Sequence, residues 1–320
     1  MKNILFRQFV LLVLVCSVAP AFAQSDLHYT MFLYNKLMYN PGYTGSRDVA
    51  SFNACYRNQW SGIDGAPKTF NLTFDAPVGL YMRPFRPVAV GGSIASEQIG
   101  VERNTNVMGY YAYRIRQGNT VISMGLRGGF KMYSADYNRL VTTSQNDVSF
   151  TRDVRNAFLP NAGAGVYVYG QNFYAGLSVP NLFQNYYDKS QSVASIAKEI
   201  RGYYGSAGYV HTLNEEVKIQ PQILMRHAAN SRYRLPFNAD FNVSGIFYDR
   251  LLTGITYRTD KSFEIIAHVQ VTQFINIGYA YDYLVSGLSA YDRGTHEFVI
   301  GYDLVRDRSR YVTPRFIRAF

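Results

Sequence analysis

The sequence predicts an all-β fold: a transmembrane antiparallel β-barrel of about fourteen strands, with short periplasmic turns and longer extracellular loops. Three observations lead there. The first is a period of two near the C-terminus. Ile275, Ile277, Tyr279, Tyr281 and Tyr283 share one face of a run whose other face carries Asn276, Gly278, Ala280 and Asp282, and Phe298, Ile300, Tyr302 and Leu304 repeat the apolar face after a loop. The second is an export leader with no later run of the roughly 20 apolar residues that a membrane helix needs. The third is charge on the non-apolar faces, where Arg, Lys, Glu and Asp would be costly in a dry sandwich core but are ordinary in a hydrated barrel lumen.

Residues 1–23 read as a signal peptide. Lys2 and Arg7 precede an apolar run from Phe9 to Ala19, and Ala21-Phe22-Ala23 forms a small-x-small cleavage site. The bulky Val15 before Cys16 fits a lipoprotein signal poorly, so the mature chain is expected to begin at Gln24. An exported chain that enters a membrane without an apolar helix must close a barrel, because a sheet edge in lipid leaves backbone groups unpaired. Removal of Cys16 with the leader leaves Cys55 alone, so cohesion must come from the sheet and not from an internal disulfide.

Residues 24–46 are too polar and broken to span, yet they carry Tyr29, Phe32, Tyr34, Tyr39 and Tyr43. Asn40-Pro41-Gly42 should stop any local helix and set a turn. Two readings stand for this aromatic segment: it packs inside the barrel mouth, or it binds a partner through Tyr39, Asn40 and Pro41.

The barrel is assigned to residues 47–305. Its strands are expected near Val49 to Asn58, Lys68 to Ala76, Pro87 to Ser96, Thr105 to Arg116, Thr120 to Met132, Ala157 to Tyr169, Phe173 to Val179, Gly202 to Thr212, Glu216 to His227, Arg234 to Ser244, Leu251 to Arg258, Ser262 to Val271, Phe274 to Tyr283 and Thr295 to Val305. The dyad is clean in several of them. Ile122, Met124, Leu126 and Phe130 oppose Ser123, Gly125, Arg127 and Lys131, while Phe263, Ile265, Ala267 and Val269 oppose Glu264 and His268.

Loop lengths sort by parity, except that Pro77 to Arg86 is long for a periplasmic turn. The two longest connections, Tyr133 to Asn156 and Pro180 to Arg201, fall on one side, and tight ones such as Gln117 to Asn119 and Gly170 to Asn172 fall on the other. A soluble sandwich has no reason for such sorting. Trp60, Gly62, Gly65 and Pro67 sit on the first outer turn, where the glycines and proline make a fixed turn and the indole can anchor at the membrane interface or accept a partner. Residues 306–320 form a basic tail with Arg306, Arg308, Arg310, Arg315 and Arg318. These arginines can pair with an acidic periplasmic subunit or lipid phosphates, or simply be solvated.

Composition agrees with a barrel: 28 Tyr, 21 Phe and 26 Gly suit aromatic girdles and close strand packing. Without Lys2 and Arg7 the chain keeps 30 basic side chains against 22 acidic, a net of +8, which in an exported barrel is no argument for nucleic acid. No catalytic, cofactor-binding or metal-binding residue is assigned. The five histidines are scattered, and His296 and Glu297 are neighbours on opposite faces, so they cannot act as a local dyad. No His/Cys cluster has ligand spacing.

The stretch from Tyr34 to Gly45, ending Asn40-Pro41-Gly42-Tyr43-Thr44-Gly45, is followed by Tyr56-Arg57-Asn58-Gln59-Trp60 and by Gly65-Ala66-Pro67. Further along stand Phe173 to Leu182, Gly278 to Tyr283 and Gly294-Thr295-His296-Glu297. In this order and spacing the set resembles the PorP/SprF outer-membrane proteins of the type IX secretion system over nearly all of the mature chain. Gly42 departs from the alanine expected in the family's turn. The resemblance implies a noncatalytic barrel in the cell outer membrane, in contact with outer-membrane lipid. It further implies periplasmic and outer-membrane type IX secretion subunits as partners and support for export of proteins carrying a C-terminal secretion signal. Some members are implied to anchor periplasmic machinery and others to accompany a secreted surface adhesin. The alternative on the same fold is a small-solute outer-membrane channel.

Overall fold

The computed structural model describes residues 32–79, 85–139, 153–186, 199–229, 234–285 and 292–304. Residues 1–23, where a signal peptide is expected, and the expected basic tail at 306–320 lie outside the described residues. Fourteen strands are found among the described residues: β1 (Ala50–Asn58), β2 (Lys68–Val78), β3 (Val88–Ile99), β4 (Glu102–Gln117), β5 (Thr120–Ala135), β6 (Val154–Tyr169), β7 (Phe173–Val179), β8 (Arg201–Tyr209, continued past Val210 by His211–Thr212), β9 (Val217–Ala229), β10 (Arg234–Phe247), β11 (Leu251–Arg258), β12 (Ser262–Gln270), β13 (Ile275–Leu284) and β14 (Thr295–Leu304). Each expected strand is present. The expected strands for β4, β5 and β6 are longer in the structure, because the ladders continue to Glu102↔Ala135 and Ala135↔Val154.

All neighbouring strands are antiparallel. β1 pairs with β14 as well as β2, and β9 with β10, so the ladder returns on itself and leaves no edge. Closure gives each strand a hydrogen-bonded neighbour on both sides, as a lipid environment requires, with β7 pairing only Ala164–Tyr169 of the longer β6. The register at the seam, Ser51↔Asp303, Cys55↔Val299 and Arg57↔Glu297, puts small and charged residues on the inner face together.

The burial alternation follows the dyad and inverts that of a soluble protein. Phe52, Leu126, Ile255 and Ile265 are 46–61 % exposed on the outer face, whereas Arg57, Asp240, Glu264 and His268 are at most 1 % exposed on the inner one. Apolar side chains outward and charges inward is the arrangement of a wall that faces hydrocarbon. Among the described residues no helix is long and apolar enough to cross a membrane.

The two ends differ. β5 hands over to β6, and β7 to β8, across the two longest connections at one end, the long-loop end, while turns 118–119, 170–172, 213–216, 248–250 and 271–274 lie at the other, the short-turn end. The sorting is not uniform, since β3 and β4 meet at the long-loop end through only Gly100 and Val101, with Gly100 at φ +54°. The chain enters β1 from the short-turn end. The lumen departs from the hydrated interior expected from the inner-face charges, because residues 32–46 fill part of it.

Candidate functional site

The segment ahead of β1 is built from two short turns. Helix α1 spans Lys36–Tyr39, and a 3-10 turn follows at Pro41–Tyr43 with proline at its first position, where its fixed φ and missing N–H cost nothing. Asn40 joins them: its Oδ1 accepts from the Gly42 N–H at 2.8 Å, and the Thr44 hydroxyl donates to the Pro41 carbonyl at 2.6 Å. Asn40-Pro41-Gly42 thus makes the turn its composition demands, and it does so inside the barrel.

A bare patch of wall receives that turn. Gly125 on β5 pairs with Gly165 on β6, and Gly176 on β7 stands opposite the neighbouring Tyr167. A Cβ on Gly125 would overlap the Pro41 carbonyl, and one on Gly165 or Gly176 would overlap the Asn40 amide. Across this patch Asn40 Nδ2 donates to the Val166 carbonyl at 3.0 Å and reaches the Leu177 carbonyl at 3.5 Å.

Around the turn, wall side chains grip the segment's main chain. Arg127 donates to the Met38 carbonyl at 3.0 Å while its other nitrogens hold Pro180 O and Asn181 Oδ1, each at 2.6 Å. Ser178 donates to the Tyr39 carbonyl at 2.7 Å, and Arg114 donates to the Gly45 carbonyl. Asp75 accepts from the Gly45 N–H at 2.7 Å. At the short-turn end Arg47 pairs with Asp303. Charge-assisted bonds of this kind are the stronger ones, and burial strengthens them further.

Apolar packing completes the plug. Phe32, Leu33, Tyr34, Met38 and Tyr39 join Leu224, Ile246, Leu252, Ile266, Ala280 and Val299 from the opposite wall in one buried cluster. Tyr34 stacks on His268 at 4.2 Å between ring centroids. The Lys36 ammonium lies 3.7 Å from the Tyr174 ring centroid, and burial, with Arg47 nearby, lowers its pKa from 10.5 to about 7.

That shift has a readable sign. With the seated pKa near 7 and the released one near 10.5, the cost of seating Lys36 is fully present below pH 7 and fades as pH rises to 10.5. Seating of the segment is therefore expected to strengthen with pH across this window, and Lys36→Met to remove the dependence. Thermal midpoints of both proteins measured at the two ends of the window check it; equal slopes would discard the role given to Lys36.

Toward the long-loop end a belt of ion pairs runs round the inner wall from β9 to β1. Arg226 donates to Asp240 at 2.6 Å, and Arg258 reaches Asp240 at 3.2 Å, Asp282 at 3.5 Å and Glu264. Arg57 closes the arc with Glu297 at 3.1 Å and Asp282 at 3.3 Å. On the facing wall Lys131 pairs with Glu199 at 3.4 Å.

Of the residues singled out from sequence, Tyr39, Asn40 and Pro41 come together in the plug, all buried. Trp60 is elsewhere, half-buried in the first long-loop-end connection at φ +49°, where its backbone N–H donates to Thr295 Oγ1 at 3.1 Å. Ser61 and Gly294 bond across the same junction at 2.9 Å. Arg306, Arg308, Arg310, Arg315 and Arg318 lie outside the described residues. Sequence reasoning missed Gly125, Gly165, Gly176, Arg114, Arg127 and Ser178. A signal was available, because Gly125 and Arg127 share the inner phase of one strand. Among the described residues no group of His, Cys, Asp and Glu is placed to hold a metal.

No curated protein matches this chain. Among solved structures the chain is similar to the outer membrane protein Omp33 of Acinetobacter baumannii, at 7 % identity over 80 % of this chain and 98 % of that one, with a TM-score of 0.45. It is also similar to the KdgM porin at 8 % identity (80 % and 99 % covered, TM-score 0.39) and to the NanC porin at 10 % (80 % and 99 %, TM-score 0.39). The model of a family described as "Type IX secretion system membrane protein PorP/SprF" matches residues 21–302.

Proposed function

Since the chain belongs to the PorP/SprF family of type IX secretion system membrane proteins, and so to the outer membrane and its secretion machinery, we propose that it is a noncatalytic barrel that supports export or surface attachment of proteins with a C-terminal secretion signal. It does so by binding periplasmic machinery, cargo or both. Family membership identifies the system, and the observation that carries the mode of action is the filled lumen. Residues 32–46 fill part of the lumen, with the Met38 and Tyr39 carbonyls bonded to the wall and apolar side chains packed across it. A barrel so filled suits a scaffold better than a small-solute channel.

Contacts with partners are assigned to the ends. Trp60 lies at the long-loop end, where its backbone N–H donates to Thr295 and the neighbouring Ser61 N–H to Gly294, and its indole is assigned to partner contact. The five tail arginines Arg306, Arg308, Arg310, Arg315 and Arg318 are assigned to an acidic periplasmic subunit. Replacing all five with glutamine is expected to weaken capture of periplasmic partners while barrel assembly is unchanged; undiminished capture in a pull-down would remove the tail from the interface.

The role itself is tested by tagging the protein in its native cell, extracting outer membranes gently and identifying what co-purifies by mass spectrometry. Recovery of export or periplasmic subunits is the expected result, and their identity separates an anchor of the machine from the companion of one adhesin. Recovery of the barrel alone, under conditions that preserve the export complex, together with steady conductance in planar bilayers, would instead favour the solute channel.

A further inference from the structure

Over residues 38–45, hydrogen bonds from wall side chains fall on the segment's main chain. Arg127, Ser178 and Arg114 donate to the carbonyls of Met38, Tyr39 and Gly45, and Asp75 accepts from the Gly45 N–H. Main-chain groups are common to every polypeptide, so a wall that reads them is tolerant of sequence. Selectivity lies at three positions: the Asn40 amide fills the glycine patch, a Cβ at Gly42 would crowd the Tyr167 backbone N, and one at Gly45, at φ +71°, would overlap Ala89. The donors are set on strands of a closed sheet, and Arg127 is further fixed by Pro180 and Asn181, so the groove does not depend on the segment for its shape.

From this geometry we infer that the inner wall of β4–β7 is a binding groove for an extended polypeptide segment, which the chain's own residues 38–45 occupy in cis. The occupant in trans is a peptide with a turn-forming asparagine for the glycine patch and free main-chain carbonyls on either side. The cis segment competes at the high effective concentration of a tethered ligand, which keeps the groove closed until the segment is drawn out. This inference stands on the lumen alone and does not depend on the secretion role.

The test uses the full-length chain in planar lipid bilayers. Asn40→Ala removes the bonds to Val166 and Leu177 and leaves the barrel wall intact. Asn35, also in the plug, lies near the buried Cys55 thiol of β1, so Asn35→Cys is introduced as a reversible disulfide lock, its formation checked by loss of free thiol. Wild type is expected to be silent and Asn40→Ala to open intermittently. The Asn35→Cys/Asn40→Ala protein should be silent when oxidised and open again on reduction. A synthetic peptide of residues 32–46 should block the openings, and the same peptide with Asn40→Ala should need about tenfold more, as expected for two lost hydrogen bonds. Heat-modifiable migration on gels confirms assembly; should Asn40→Ala fail there, Ser178→Ala, which frees the Tyr39 carbonyl, goes through the same assay. Steady conductance by wild type, silence of an assembled variant in both redox states, openings through the locked barrel, or openings that the peptide does not block would each overturn the inference.

Discussion

Leucine in place of Gly165 is expected to drive Asn40 off the wall and leave an assembled barrel with an unfilled lumen. The overlap cannot be relieved by a small shift. Gly165 pairs with Gly125 on one side and Ser178 on the other, and the Asn40 amide that fills the space is itself bonded to Val166 and Leu177. Overpacking at a confined site costs about 1–3 kcal/mol, and the lost Asn40 bonds add to it, enough to shift seated against unseated plug by roughly ten- to a hundredfold. Limited proteolysis within residues 32–46, with barrel migration on gels unchanged, is the measurement. Gly128 supplies the comparison: it lies on the outer face of the same barrel where an added Cβ meets nothing, so Gly128→Leu should leave proteolysis as in wild type. Equal resistance of the two variants would mean that the patch does not hold the turn.

Removing Arg258 is expected to be the most destabilising single change in the inner wall. Its guanidinium is 3 % exposed and serves Asp240 and Glu264, both fully buried, and Asp282, 7 % exposed. Deleting one partner of a buried pair leaves charge uncompensated, at about 3–5 kcal/mol, and here Glu264 loses its ion pair while Asp240 and Asp282 keep Arg226 and Arg57. Arg258→Met keeps most of the volume and isolates the charge. Denaturant unfolding in detergent micelles, followed by loss of the folded gel band, should show the drop, while Arg155→Met should not, since the Arg155 side chain is 87 % exposed beside Asp153. Equal midpoints for the two variants would mean that the belt is hydrated and contributes little.

The fold was legible because a barrel writes itself into the sequence locally. Each strand of β11 and β12 carries its own alternation, and that alternation survives whichever strand lies beside it. Thus strand positions, the outward face and the sorting of the longest loops could be read without knowing any pairing. Boundaries were less legible at β4–β6, where the ladder runs on through polar residues such as Glu102 and Asn104, because continuation there is decided by the partner strand and not by hydrophobicity.

The candidate site was legible only in part. Asn40-Pro41-Gly42 announced a turn, and Arg127 and Gly125 announced an inner face, but nothing in their spacing joins them, since Asn40 meets Val166 and Leu177 across more than a hundred residues of chain. The same holds for Arg57 and Glu297, whose pairing needs the seam between the first and last strands. By itself, then, the sequence determined an exported chain with a strand-built wall, apolar outward and charged inward, because those properties follow from local periodicity and composition. Only the tertiary structure decided that the lumen is filled, which glycines hold the turn and which charges neutralise one another, because each of these depends on closure of the ring bringing distant residues within bonding distance.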